Sequence, residues 1–201
     1  EVYVPFNTPE YASVLREIKE SGAEVIFHSL TGSDTVNFRR QFHAAGMNKD
    51  IVIWTVDDEE VVTSGLGSEV SAGTYVSFDY FMTIETESNK VFLEKLFKEN
   101  GNDMLMNTVG VGMYNAAHLL ANAISASGST ETDKVRDALR GSSFSNAPQG
   151  SISIQSQDHQ AVLPSYLMKV RENWTSVNDM FEQVQFFDKV TPAPARCNLP
   201  L

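Results

Sequence analysis

The chain has 201 residues, of which 42% are hydrophobic and 10% aromatic, and a formal net charge of −11. This is globular composition, long enough for one large domain or two small lobes, and it excludes a disordered or collagen-like chain. The acidic balance argues against nucleic acid as a partner and against docking on anionic lipid, both of which need a basic face. The single cysteine, Cys197, excludes an internal disulfide and a paired-cysteine zinc site. The most apolar run, Val109 to Ile124, is interrupted by Asn115, His118 and Asn122 and is too polar to span a membrane.

The first third repeats one pattern. Val2-Tyr3-Val4 reads as a strand, and Thr8 and Pro9 read as the cap and first residue of a helix carrying Tyr11, Val14, Leu15 and Ile18. Gly22 stands where that helix should stop. Glu24-Val25-Ile26-Phe27 is the second strand. Ser33 or Asp34 then caps a helix with Phe38, Phe42 and Ala45 on one face and Gly46 at its end. Ile51-Val52-Ile53-Trp54 is the third strand, Asp57 to Val62 a short helix, and Gly73 to Phe78 the fourth strand. Alternation of this kind marks a parallel sheet with right-handed crossovers. A chain that opens inside an element is expected to be the later part of a longer protein.

The middle is helical. Thr86 caps a helix with Val91, Phe92 and Leu96. Residues 107–126 form a long helix, and Thr130 starts a third with Val135, Ala138 and Leu139 inward and Gly141 as its stop. No strand is expected between Met82 and Gln149. The last third turns to antiparallel β: Ser151 to Ile154 alternates, and Pro164 to Val170 and Met180 to Phe187 flank a turn at Glu172 to Thr175. Seams are expected at 82–85 and 146–150, with a loose tail from Thr191.

In a parallel α/β sheet, ligands bind beyond the carboxyl ends of the strands. That rule selects Phe6-Asn7-Thr8, Ser29-Leu30-Thr31-Gly32-Ser33 and Thr55-Val56-Asp57-Asp58. Hydroxyls and helix-start N–H groups suit a small neutral polar ligand, and Asp57 or Asp58 would suit an ammonium or N–H group. Each feature also has a purely structural reading. Thr8 and Ser33 serve as caps, Thr31-Gly32 as turn chemistry, Asp57 to Glu60 as a solvated helix start, and Tyr80 as core or hinge. His28, His43, His118 and His159 are scattered without metal-ligand spacing, and neither a nucleophile elbow nor a phosphate-cradling glycine loop occurs. The expectation is a non-enzymatic protein with no cofactor and no metal.

Several stretches, taken in order, resemble the type I, leucine-binding-like periplasmic solute-binding proteins, nearest to the branch for urea and short-chain amides. They are Tyr3-Val4-Pro5-Phe6, Phe27 to Gly32, Ala44-Ala45-Gly46, Thr55 to Val61, Tyr80 to Thr86, Gly128-Ser129-Thr130 and Ala147 to Gly150 with the hairpin holding His159. The resemblance implies an α/β fold, a parallel-sheet Rossmann-like lobe of a two-lobe protein, with helices belonging to the partly missing other lobe. Residues 1–82 and 150–190 would be the second (C-terminal) lobe, 86–146 helices of the first lobe and 191–201 a tail. It implies ligand contacts from Thr31, Gly32, Thr55, Asp57 and Asp58, with Phe6 and Tyr80 at a hinge or pocket rim. Asp58 matches the residue that amino-acid binders aim at the ligand's amine, while Val56-Asp57 departs from the small or hydroxyl residues of related chains.

The function implied is capture of urea, a short amide, an amino acid or a similar small polar metabolite by lobe closure, for delivery to an ABC transporter permease. The compartment would be periplasmic or extracellular. A ligand-sensing domain of an amide-responsive regulator or receptor, which would be cytoplasmic as a regulator, is the alternative, and an amide hydrolase a remoter one. The middle helices, left without their lobe, are expected to drive self-association.

Overall fold

In the computed structural model, which describes residues 1–191, the chain divides into two compact units. Unit 1 comprises 1–78 and 167–185, and unit 2 begins at Asp79, runs to Tyr166 and resumes at Phe186. The tail beyond Thr191, with Cys197, lies outside the described residues.

Unit 1 is built from α1 (Ala12–Ser21), β1 (Val25–His28), α2 (Ser33–Ala44), β2 (Val52–Thr55), α3 (Glu60–Leu66), α4 (Ser68–Ser71) and β3 (Tyr75–Phe78). The strands are parallel in the order β1-β2-β3, with Val25 beside Val52 and Trp54 beside Tyr75. The helices exist because their apolar positions recur at helical spacing and close one core. Tyr11, Leu15, Phe38, Phe42, Met47 and Ile53 are buried together, with Val4, Ile18, Ile26 and Leu30 against them. Each large side chain in that cluster contributes about 1.5–3 kcal/mol through burial. Gly22 and Gly46 end the helical stretches in the left-handed region, at φ 68° and 70°, as their positions predict.

Several expected details shift. Val2-Tyr3-Val4 forms no strand, since no backbone ladder receives it, and Tyr3 is exposed. Thr8 and Pro9 do not open the helix: the Thr8 hydroxyl donates back to Pro5 O at 2.6 Å, and α1 begins after Tyr11. Gly32, not Ser33 or Asp34, occupies the cap position of α2, without a side-chain bond. The helix after β2 starts at Glu60 rather than Asp57, because Asp57 and Asp58 are engaged elsewhere.

Unit 2 holds α5 (Glu87–Asn100), α6 (Thr108–Ser127), α7 (Thr132–Leu139), β4 (Ser143–Phe144), β5 (Ile152–Ile154) and most of the strand β6 (Ala161–Val170), whose last residues belong to unit 1. The strand β7 (Phe181–Val190) pairs with β6 and likewise passes from one unit to the other. The Thr86 hydroxyl accepts the Asn89 N–H at 3.0 Å, so the expected cap of α5 is present. The caps of α6 and α7 are Asn107 and Glu131, the latter one residue beyond the expected Thr130. β4 corrects the expectation of no strand between Met82 and Gln149. It pairs antiparallel with β5, Phe144 facing Ile152, and β5 pairs antiparallel with β6. Leu119, Ala147 and Ile152 form the core between α6 and this small sheet, with Leu139 of α7 against them. The seam falls at Phe78/Asp79 rather than at 82–85. Residues 150–166 group with the helices rather than with 1–82, because β5 pairs with β4 there and the start of β6 pairs with β5.

Candidate functional site

The loops after β1 and β2 and the loop before α1 meet at one end of the unit 1 sheet. The Asn7 N–H donates to Asp34 Oδ2 at 2.9 Å. The Thr35 hydroxyl lies between Leu30 O at 2.5 Å and Asp57 Oδ2 at 3.1 Å. Asp57 also accepts from the Gly32 backbone, and its own N–H donates to the Thr55 hydroxyl at 3.1 Å. These bonds tie 6–8, 29–34 and 55–58 into one surface. Gly32 is required there: its φ of 58° with ψ of −128° is a backbone conformation that L side chains avoid.

The expected site residues fall into distinct settings. Thr31 and Gly32 are exposed at the start of α2, where the helix leaves its first N–H groups unpaired by the helix itself. Asp57 is half-buried, and burial raises its carboxyl above the usual range while the Thr35 hydroxyl and Gly32 N–H pull it back. Thr55 is fully buried as the last residue of β2. Phe6 is 85% exposed beside Asn7. Tyr80 is fully buried in unit 2, with its hydroxyl donating to Asn89 Oδ1 at 3.0 Å.

Asp58 is in the interior of unit 1, not on the loop surface. It is fully buried and paired with Arg39 Nη1, while Arg39 Nη2 donates to Val70 O at 3.2 Å and to the Thr74 hydroxyl. Burial pushes the Asp58 carboxyl up to about 6, with the Arg39 charge pulling the other way. The same burial lowers Arg39. Arg39 thus fastens the 55–58 loop to α2 and to the entrance of β3. Sequence reasoning missed it, since a lone arginine beside Phe38 carries no signal of its partner. Asp34 and Thr35, read only as possible caps or not at all, are the side chains that join the loops.

Chemically the surface offers hydroxyls, backbone N–H groups and one engaged carboxylate. Such a set binds and orients carbonyl or carboxylate oxygens. Among the described residues no group of three His, Cys, Asp or Glu is arranged to hold a metal ion. Two open hollows lie at the other end of the strands, one lined by Gly22, Gly46 and Ile51, the other by Asn48, Val70 and Gly73. Neither includes a residue of the joined loops.

Residues 1–175 match the family model described as periplasmic binding protein. The chain belongs to the periplasmic binding protein family. A Leu/Ile/Val-binding protein homolog from Brucella melitensis is 26% identical over 195 residues, covering 94% of this chain and 49% of the relative. The chain therefore spans about half the length of the curated relatives it matches. Among solved structures, an amino acid ABC transporter substrate-binding protein from Pseudomonas fluorescens superposes with a TM-score of 0.84 at 21% identity, over 95% of this chain and 51% of that one. A solute-binding protein of an ABC transporter from Rhodopseudomonas palustris, in complex with 3,4-dihydroxybenzoic acid, gives 0.81 at 24%, over 95% and 52%. These structures establish the α/β fold of periplasmic binding protein lobes. None of the three relatives is named for urea or an amide.

Proposed function

We infer that the whole protein is the solute-binding component of an ABC importer, working outside the cytoplasm and delivering its ligand to a permease. The observation that carries the reading is the joined loop surface at the carboxyl ends of β1 and β2, with Thr31, Gly32 and Asp57 presented. Ligand held by these loops and by the rest of the protein would favour a closed state by population shift. The ligand is a small polar metabolite whose carbonyl or carboxylate oxygen is received by the Thr31-Gly32-Ser33 stretch. The resemblance of the sequence favours urea or a short amide. The names of the relatives favour an amino acid or an aromatic acid, and the burial of Asp58 against Arg39 speaks against its serving as an ammonium anchor.

Calorimetric titration of the full-length protein with urea, acetamide, leucine and 4-hydroxybenzoate tests the reading. Saturable one-site binding of one class is the expected result. Absence of binding by all four contradicts the ligand proposal, and ammonia release from acetamide by the purified protein would replace it with a hydrolase.

A further inference from the structure

The amino end of the unit 1 sheet holds a hollow of about 240 Å³ beside the starts of β2 and β3. Its walls come from α2, from the turn before β2, from both strands and from the unit 1 part of β6. The joined loops lie at the opposite ends of the same strands, so solute binding there makes no use of it. The volume falls below the about 300–1,000 Å³ of pockets for drug-sized molecules, and suits a ligand of a few heavy atoms.

The lining carries donors and no carboxylate, although the chain as a whole has a net charge of −11. Its two cations are Arg39 and Lys169. Arg39 is 2% exposed and already neutralised by Asp58, which is not part of the wall. Lys169 makes no ion pair among the described residues. Its Nζ stands 5.7 Å over the ring of Tyr75, another lining residue, and this cation–π contact holds the charge at the hollow. The hollow therefore presents one uncompensated positive charge.

Two further donors stand beside it. The Thr74 hydroxyl accepts from Arg39 Nη2, which leaves its own proton to donate. Val52 N–H donates to Glu24 O at 2.9 Å, so the alternation of a parallel ladder turns the Ile53 N–H the other way, toward β3. The β2–β3 ladder opens only at the pair Trp54 with Tyr75. The Ile53 N–H thus precedes the ladder, and Ile53 lines the hollow. Phe42 and Val70 supply apolar wall next to these groups.

We propose that this hollow binds a small aliphatic monocarboxylate. Its carboxylate is received by Lys169 Nζ, the Ile53 N–H and the Thr74 hydroxyl, and its short apolar body rests on Phe42 and Val70. A single uncompensated ammonium matches one negative charge, which favours a monocarboxylate over a doubly charged inorganic anion. The proposal stands whichever solute the joined loops take.

NMR titration of the full-length protein with isobutyrate is the test, with isobutyramide as the uncharged isostere and sulfate as the inorganic anion. Isobutyrate is expected to give saturable shifts at the Ile53, Thr74 and Lys169 amides. Isobutyramide and sulfate should bind there at least about tenfold more weakly, and Lys169→Gln should weaken isobutyrate by a similar factor. The isobutyramide comparison uses the unaltered protein, so it holds even if the variant folds poorly. Isobutyrate that leaves the three amides unmoved, or shifts only those of the 29–34 and 55–58 loops, overturns the proposal. Equal binding of isobutyramide or sulfate at the three amides, or affinity unchanged by Lys169→Gln, overturns it as well.

Discussion

Replacing His28 should change the acid sensitivity of unit 1 by an amount that can be worked out in advance. His28 closes β1, is 8% exposed and packs its ring 5.5 Å from that of Phe38. Neither ring nitrogen has a hydrogen-bond partner among the described residues. Burial first, and the Arg39 charge second, lower the imidazole from its ordinary 6.5 to about 3. The unfolded chain therefore takes up a proton between about 6.5 and 3 that the folded chain refuses, and stability is lost as pH falls through that window. Between pH 7 and pH 5 the loss assigned to His28 is about 2 kcal/mol. Asp58 works in the other direction: its folded carboxyl titrates near 6, above the ordinary 3.8, so its contribution grows as pH falls from 6 toward 3.8. A chain carrying His28→Phe keeps Asp58 and loses only the imidazole. Whatever the substitution costs at pH 7, its stability relative to the parent should improve by about 2 kcal/mol at pH 5. Urea unfolding at the two pH values measures this. An unchanged difference between parent and variant would refute the account of a buried, uncharged His28.

Arg39→Met should destabilise unit 1 by about 3–5 kcal/mol, because it leaves the Asp58 carboxylate buried without its partner. The double change Arg39→Met with Asp58→Leu should recover a large part of that cost in denaturant unfolding, whereas additive costs would contradict the pairing. In unit 2, Asn89 is 1% exposed and donates to Met82 O at 3.0 Å and Ile84 O at 2.9 Å while accepting from Tyr80. Asn89→Ala should cost about 1–3 kcal/mol in thermal or chemical unfolding, since it removes three buried hydrogen bonds; a change within error would show that the network contributes nothing. The exposed stripe of α6, with Val109 at 68%, Met113 at 69% and Leu120 at 47%, should make the 201-residue chain self-associate in sedimentation. Met113→Lys with Leu120→Lys should shift it toward monomer, and a strictly monomeric parent at high concentration would refute that expectation.

The alternation of strands and helices in the first third was legible because each element carries its own signal: apolar spacing in α1 and α2, and β-branched runs in β1 and β2. The stops at Gly22 and Gly46 were legible for the same local reason. The helix starts were not, because Thr8, Ser33 and Asp57 had other partners within reach: Pro5 O for the first and Thr35 for the last. β4 was invisible because two residues carry no period. The failed strand at Val2 to Val4 shows that strand propensity is silent about whether a partner edge exists. Of the candidate site, the loops themselves followed from the position of strand ends. The burial of Asp58 did not, because its partner Arg39 lies on another element, and only the fold brings the two together.

Under the proposed function, the 29–34 and 55–58 loops receive the solute. Backbone amide shifts of the full-length protein, followed by NMR while the tightest-binding member of the solute panel is added, test it most directly. The account predicts saturable changes at Thr31, Gly32, Ser33 and Asp57, with little change at the hollow lined by Gly22 and Gly46. Saturable binding that leaves those four amides unmoved would contradict it.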